Sequence, residues 1–372
     1  MNFDLKTHLK TLSELTAPSG HEAQVRAYVR SEWQTLVDEF DQDGLGSLIG
    51  IKRATHPPQK GTAKRLMLAA HMDEIGLMVR DIVDGFIYAV RMGGMDARTL
   101  LAKPVLVHGK RTLKGLVSAV PPHLLSDKDR HQYPSVEQLV IDVGMSDAEV
   151  REVVQIGDLI TPDAPFWELL GNHWVGKAFD DRACLAAVTL CLHHLQRLNH
   201  QWDVLAVATV QEEVGLFGAQ TSAAHLNPDL AIALAVTFAP QTGVSADAAS
   251  EMNGGMSIAL GANVHPALFE RLLETAKKHE IKYQTEAFPA ATGTDAWAIQ
   301  VAREGIPTAL ISIPIRNMHS AVETVDSRDI ERTARLLAAF ISELDADWSP
   351  LNAQAEAVDD NNGTANGNGD AA

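Results

Sequence analysis

Apolar residues near the amino terminus recur at helical spacing. Leu5, Leu9 and Leu12 follow Asp4, a residue suited to capping, which predicts a short amphipathic helix ended by Pro18-Ser19-Gly20. Ser19 and Glu22 have the spacing of a capping box, and Val25, Val29, Trp33 and Leu36 then mark one face of a second helix. Three short apolar runs follow a different pattern. Arg65 to Ala70 leads into His71-Met72-Asp73-Glu74, Val204 to Val210 into Gln211-Glu212-Glu213, and Leu230 to Val236 into Thr237-Phe238. Each reads as a buried strand delivering polar side chains at its C-terminal end. Helical stretches lie between the runs, and a last helix carries Ile330, Ala334, Leu337 and Ile341 on one face. Strands alternating with helices predict an α/β fold whose sheet is covered on both sides.

Within residues 75–170 the texture changes to short β-rich runs, such as Val105 to Gly109 and Leu139 to Gly144, punctuated by Gly and Pro. This predicts an inserted β domain that splits the main domain into residues 1–74 and 171–346. Residues 347–372 are dominated by Gly, Asn, Asp and Ala without periodic apolar positions. Such a tail cannot offset its ordering entropy by burial and is expected to be disordered.

Composition narrows the partners. A chain of 372 residues has room for two folding units, and its 46% hydrophobic and 21% charged content is that of a globular protein. The apolar runs fall well short of the roughly 20 residues that span a bilayer. The beginning MNFDLKTHLK lacks the apolar centre of a signal peptide, so a cytoplasmic protein with no membrane partner is expected. A formal charge of −17 argues against nucleic acid, whose phosphates call for clustered Lys and Arg. Cys184 and Cys191, in an apolar helical stretch, read as reduced core residues.

Four polar groups carry candidate chemistry. His71-x-Asp73 suits a metal-binding imidazole and the carboxylate that orients it, or a hydrogen-bonded pair in a turn. Asp180-Asp181-Arg182 heads a helix, where a carboxylate can cap the helix or bridge metal ions. On an extended chain Glu212 and Glu213 point to opposite sides, so one can ligate while the other moves protons; a solvated acidic turn is the plainer reading. His319 follows the apolar strand Thr308 to Ile313. All four fall at strand exits or helix heads around one sheet, where open α/β proteins bind ligands. Together they predict a hydrolytic centre of two divalent ions, with zinc, cobalt or manganese suited to such donors.

The segments LTAPSGHE (15–22), AAHMDEIGLMV (69–79), GKAFDDRA (176–183), VQEEVGLFGA (210–219), ATGTDAWAIQ (291–300) and PIRNMHSAVETVD (314–326) carry a resemblance. From about Leu12 to Leu344 the chain resembles metallopeptidase family forty-two, the glutamyl and tetrahedral TET aminopeptidase group. The resemblance implies a zinc-exopeptidase-like mixed sheet sandwiched by helices. It also implies a PDZ-like insertion that pairs subunits, in dimer-based homo-oligomers that can reach a dodecamer. It implies a metal-dependent aminopeptidase acting on peptides, with His71, Asp180, Glu213 and His319 as metal ligands and Asp180 bridging. Glu212 would be the general base and Asp73 would orient His71. Thr294 and Asp295 lie in a family segment close to the site, although Asp295 also reads as a helix cap.

One departure stands out: LAIALAVTF carries Ala235 where the family has an aspartate ligand. Asp229 lies about 20 Å away along an extended strand, too far to substitute; Asp247, on a loop, is a candidate. The missing carboxylate implies one weakened metal position. It keeps open a catalytically impaired homologue that binds peptides or forms shells, and behind it a glycoside hydrolase, which would use two carboxylates and no metal.

Overall fold

The computed structural model describes residues 3–351. In α1 (Leu5–Glu14) the Asp4 carboxylate accepts from the Thr7 amide, and Leu5, Leu9 and Leu12 are buried, as the spacing predicts. Helix α2 (Ala23–Trp33) buries Val25, Val29 and Trp33, but it has no capping box. The Ser19 hydroxyl donates instead to Asp73, and Glu22 accepts from the amides of Gly20 and Gln211. A buried carboxylate is a stronger acceptor than a neutral one, so Asp73 draws the hydroxyl away from the helix end.

Strands β1 (Glu39–Gln42) and β2 (Leu48–Lys52) form a hairpin, and β3 (Arg65–His71) starts the central layer. The chain then leaves the sheet. Strands β4 (Gly76–Val83), β5 (Phe86–Met92), β6 (Pro104–His108), β7 (Thr112–Ser118), β8 (Val140–Asp142) and β9 (Leu159–Pro162) close into a barrel, accompanied by α3 (Ala97–Leu100) and α4 (Asp147–Val153). Its interior is filled by Leu77, Val79, Ile87, Val105, Val107 and Ile141.

The return to the sheet comes earlier than composition indicated: β10 (Trp167–Glu168) already pairs with β11 (His173–Gly176) rather than with the barrel. There follow α5 (Phe179–Leu195), β12 (Asp203–Thr209), α6 (Phe217–Leu226), β13 (Leu230–Phe238), β14 (Met256–Gly261) and α7 (Pro266–Lys278). The chain continues through β15 (Tyr283–Phe288), α8 (Asp295–Gln300), β16 (Thr308–Arg316), β17 (Glu323–Asp326) and α9 (Ser327–Ser342).

Eleven strands form one mixed sheet in the order β1-β2-β12-β3-β13-β16-β17-β11-β10, with β14 and β15 branching from β16. Its centre, β12-β3-β13-β16, is parallel. Side chains alternate between two cores. Leu66, Leu68, Leu230 and Ile232 pack with α1, α2, α5, α7 and α9 on one face. Met67, Ala69, Ala231 and Ala233 pack with α6 and α8 on the other. Cys184 and Cys191 are buried and unbridged, and α9 buries Ile330, Ala334, Leu337 and Ile341. The tail expected from residue 347 lies outside the described residues beyond position 351; within them, Trp348 packs on the core and its carbonyl accepts from Lys64 Nζ at 2.7 Å.

Trp33 illustrates how α2 is anchored. Its ring is fully buried beside Gly50, where an added Cβ would lie 2.9 Å from the indole, and its Nε1 donates to the Thr189 hydroxyl at 2.9 Å. Trp33→Ala should cost about 3–5 kcal/mol, measured as a lowered denaturation midpoint, and Trp33→Phe distinctly less.

Candidate metal centre

The parallel strands end on one edge of the sheet. His71 closes β3 directly beside Thr209 of β12, while Ala235 of β13 lies opposite Ser312 of β16. Strand parity puts His71, Thr209 and Ala235 on the α6/α8 face. Just past β12, Gln211 takes a φ of +57° and the chain turns. Glu212 and Glu213 are therefore not on an extended segment, and both reach the same pocket rather than opposite sides. They still meet different neighbours. Glu212 Oε2 is 3.9 Å from His71 Nε2, and Glu213 Oε1 is 3.4 Å from His319 Nε2.

Asp180 stands between the two imidazoles. Its Oδ1 is 3.2 Å from His71 Nε2 and its Oδ2 is 3.2 Å from His319 Nε2. Asp180 and Asp181 have non-helical backbone at the head of α5, so neither acts as a simple cap; Asp181 accepts from the His71 amide. Asp73 is wholly buried. It accepts from the Ser19 hydroxyl and from the amides of Glu212 and Glu213, and its Oδ1 is 3.4 Å from His71 Nδ1.

His71, Asp180, Glu212, Glu213 and His319 line a cavity of about 350 Å³ together with Ala235 and Thr294, and Asp73 lies behind it. Asp295 is not at its surface and is not the cap: Thr294 occupies that position, and Asp295 accepts from the Thr209 hydroxyl at 2.6 Å. Asp247 lies on the exposed turn Ala246–Ala248, away from the lining, and Asp229 accepts the Arg65 amide at the opposite end of the sheet. A larger cavity of about 720 Å³ between α5 and α9 contains no carboxylate, so its size carries no catalytic meaning.

Two supporting residues escaped the sequence reading. Buried Glu323 accepts from the His319 amide through Oε1 and from the Asp180 amide through Oε2. It starts an antiparallel strand, so the rule of polar residues at parallel strand exits passes over it. Gly94 leans from the barrel onto the centre, where a Cβ would lie 2.3 Å from His319 Nδ1.

The electrostatics reveal a surplus of negative charge. Burial lifts Glu212 to about 9 against the pull of His71, with Asp295 and Asp180 adding to the rise. Burial and then Asp180 lift Glu213 to about 7 and Glu323 to about 8. Burial opposes the ionised form of Asp180, but hydrogen bonds with His319 and His71 hold it below the usual carboxylate range. The hydrogen bond with Asp180 raises His319 to about 9, while His71, despite burial, is raised by Glu212, Asp180 and Asp73. His71, Asp180 and Glu213 each offer a donor atom within 4.8 Å of the others. Imidazole and carboxylate donors this close, in a site with excess negative charge, fit a divalent cation.

The family model described as M42 glutamyl aminopeptidase matches residues 50–336. The chain belongs to the M42 family. It is 37% identical over 343 residues to a lysyl aminopeptidase of Pyrococcus furiosus, covering 90% of this chain and 96% of the relative. A TET aminopeptidase from a marine sediment archaeon, Thaumarchaeota archaeon SCGC AB-539-E09, superposes with a TM-score of 0.86 at 33% identity, covering 92% of this chain and 97% of that one. The TET1 peptidase of Pyrococcus horikoshii superposes with a TM-score of 0.78 at 30% identity, covering 92% and 100%. The M42 assignment makes this protein a hydrolase acting on peptide bonds.

Metal and protons compete for the same donors. Since His319 holds its proton up to about 9 and Glu213 to about 7, divalent-ion affinity should rise as pH increases towards 9. Calorimetric titration of zinc at several pH values should also record proton release on binding.

Proposed function

We propose that this M42 protein is an aminopeptidase that removes N-terminal residues from peptides. His71, Asp180, Glu213 and His319 would hold divalent metal, and Glu212 acts as general base. The observation that most supports this reading is Asp180, with one oxygen 3.2 Å from each of the two imidazoles. When bound, a divalent ion supplies Lewis acidity towards a carbonyl and makes water acidic enough to ionise near neutral pH. Zinc, cobalt and manganese all suit the donors.

The protein's own groups do the rest. The main-chain carbonyl of Asp73, 3.1 Å from His71 Nδ1, and its carboxylate, 3.4 Å from the same nitrogen, fix the ring, while Asp180 is oriented through its amide by Glu323. Glu212 is the carboxylate left without a ligand role. Burial and the neighbouring carboxylates raise its proton affinity, and a bound divalent cation would lower it again, so that an ionised Glu212 can take a proton from the attacking water and pass it to the leaving amine. The aminopeptidase names of the relatives support an exopeptidase reading. Since the related TET1 peptidase assembles into a tetrahedron or octahedral shell, we assign this chain a homo-oligomeric state, paired through its barrel. Peptides in the cytoplasm are the proposed substrates.

Ala235 qualifies the activity. Its methyl lines the pocket where a carboxylate would supply a further ligand, and neither Asp229 nor Asp247 takes that place. One metal position is therefore weak and turnover reduced.

Glu212→Gln should lower kcat by roughly 100- to 10,000-fold while leaving metal content intact. Wild-type hydrolysis of aminoacyl substrates by that variant would overturn the mechanism. Ala235→Asp should bring metal content closer to two ions per chain and raise kcat, read by elemental analysis alongside kinetics; unchanged metal content would remove Ala235 from the account.

A further inference from the structure

The turn that carries Glu212 and Glu213 begins with a conformation its residue does not favour. Gln211 has a φ of +57°, in the left-handed region, where a side chain crowds the backbone and the surroundings must hold it. Beyond Gln211 the turn is closed internally, the Glu212 carbonyl accepting from the amides of Gly215 and Leu216 at 3.0 Å each. The dihedral angles of Gln211 therefore set the direction in which Glu212 leaves β12.

The hold comes from 189 positions away. Glu22, buried at the start of α2, accepts from the Gln211 amide through Oε1 at 3.2 Å. The same oxygen accepts from the Gly20 amide at 2.6 Å, and Gly20 is also left-handed, with a φ of +82°. Among the described residues the Gln211 amide has no other acceptor. Asp73 takes the next two amides, those of Glu212 and Glu213, so two buried carboxylates hold three consecutive amides of the turn. Glu22 does not line the cavity of the metal centre, and its contact with the turn is through the backbone.

Resting on the aminopeptidase reading, we propose that Glu22 is a positioning residue: it keeps Gln211 left-handed and thereby aims the Glu212 carboxylate at the attacking water. Asp73 fixes where the two glutamates sit, and Glu22 fixes the angle at which the chain reaches them.

The test measures kcat and KM of metal-loaded wild type, Glu22→Ala, Glu22→Gln and the double variant Glu22→Ala with Gln211→Gly on a panel of aminoacyl nitroanilides, with metal content and thermal midpoint alongside. Glu22→Ala should lower kcat roughly 10- to 100-fold at unchanged KM and metal content, the effect of a small misplacement of a reacting group. Glutamine keeps an acceptor oxygen, so Glu22→Gln should stay within about three-fold of wild type. Glycine adopts the left-handed region without strain, so Gln211→Gly should restore most of the kcat lost in Glu22→Ala. A purely structural role would lower kcat only in step with lost metal or lost folded protein, and glycine at position 211 would not restore it; that result, an unchanged kcat in Glu22→Ala, or an equal loss in Glu22→Gln would overturn the inference. If wild type cleaves no aminoacyl substrate, the aminopeptidase reading falls, and amide hydrogen exchange decides the brace by itself. Exchange at Gln211 that quickens in Glu22→Ala but not in Glu22→Gln supports it, and any other pattern overturns it.

Discussion

A single wholly buried carboxylate, Asp73, holds the exits of β3 and β12 in register. Removing a charge from water is costly unless donors replace the solvent, so Asp73 must be surrounded by them. It obtains them from the Ser19 hydroxyl and the amides of Glu212 and Glu213, with His71 alongside. Each donor is thereby positioned: the loop between α1 and α2, the turn that carries both glutamates, and the ring of His71. The burial penalty of this ion is thus the reason the site has a defined shape.

Around that anchor the structure collects more carboxylates than its imidazoles can balance. Asp180 stays ionised because two histidines face it, and Glu212, Glu213 and Glu323 are pushed towards their neutral forms. A second buried network steadies the scaffold. Glu74 accepts from Lys177 Nζ at 2.6 Å and from Arg182, which also reaches the carbonyls of Leu12, Leu15 and Met72. These bonds tie the end of α1, the exit of β3 and the head of α5 together. Through Gly94 the barrel presses on His319, so the inserted domain also bears on the site.

Much of this was legible in the chain. The faces of α1, α2 and α9, the three central strands and the α/β class followed from periodicity, and the motifs carried the M42 resemblance. The structure brings His71, Asp180, Glu212, Glu213 and His319 to one cavity. Ser19 misled because its spacing to Glu22 imitates a capping box, while its real partner is 54 positions away. Glu212 and Glu213 misled because strand parity stops applying at Gln211, where the backbone turns left-handed. Glu323 gave no local signal, since its partner amides, those of Asp180 and His319, lie outside its own strand.

By itself, then, the sequence determined which residues are buried, which segments are strands or helices, and which family the chain belongs to. Those features follow from periodicity and short motifs, properties that act over a few residues. Only the tertiary structure decided that Asp180 sits between two histidines, that both glutamates share one pocket, and that Glu323 braces the amides of Asp180 and His319. Such facts depend on how parallel strands are aligned and on which distant donors a buried carboxylate recruits, and burial of charge makes those long-range choices compulsory.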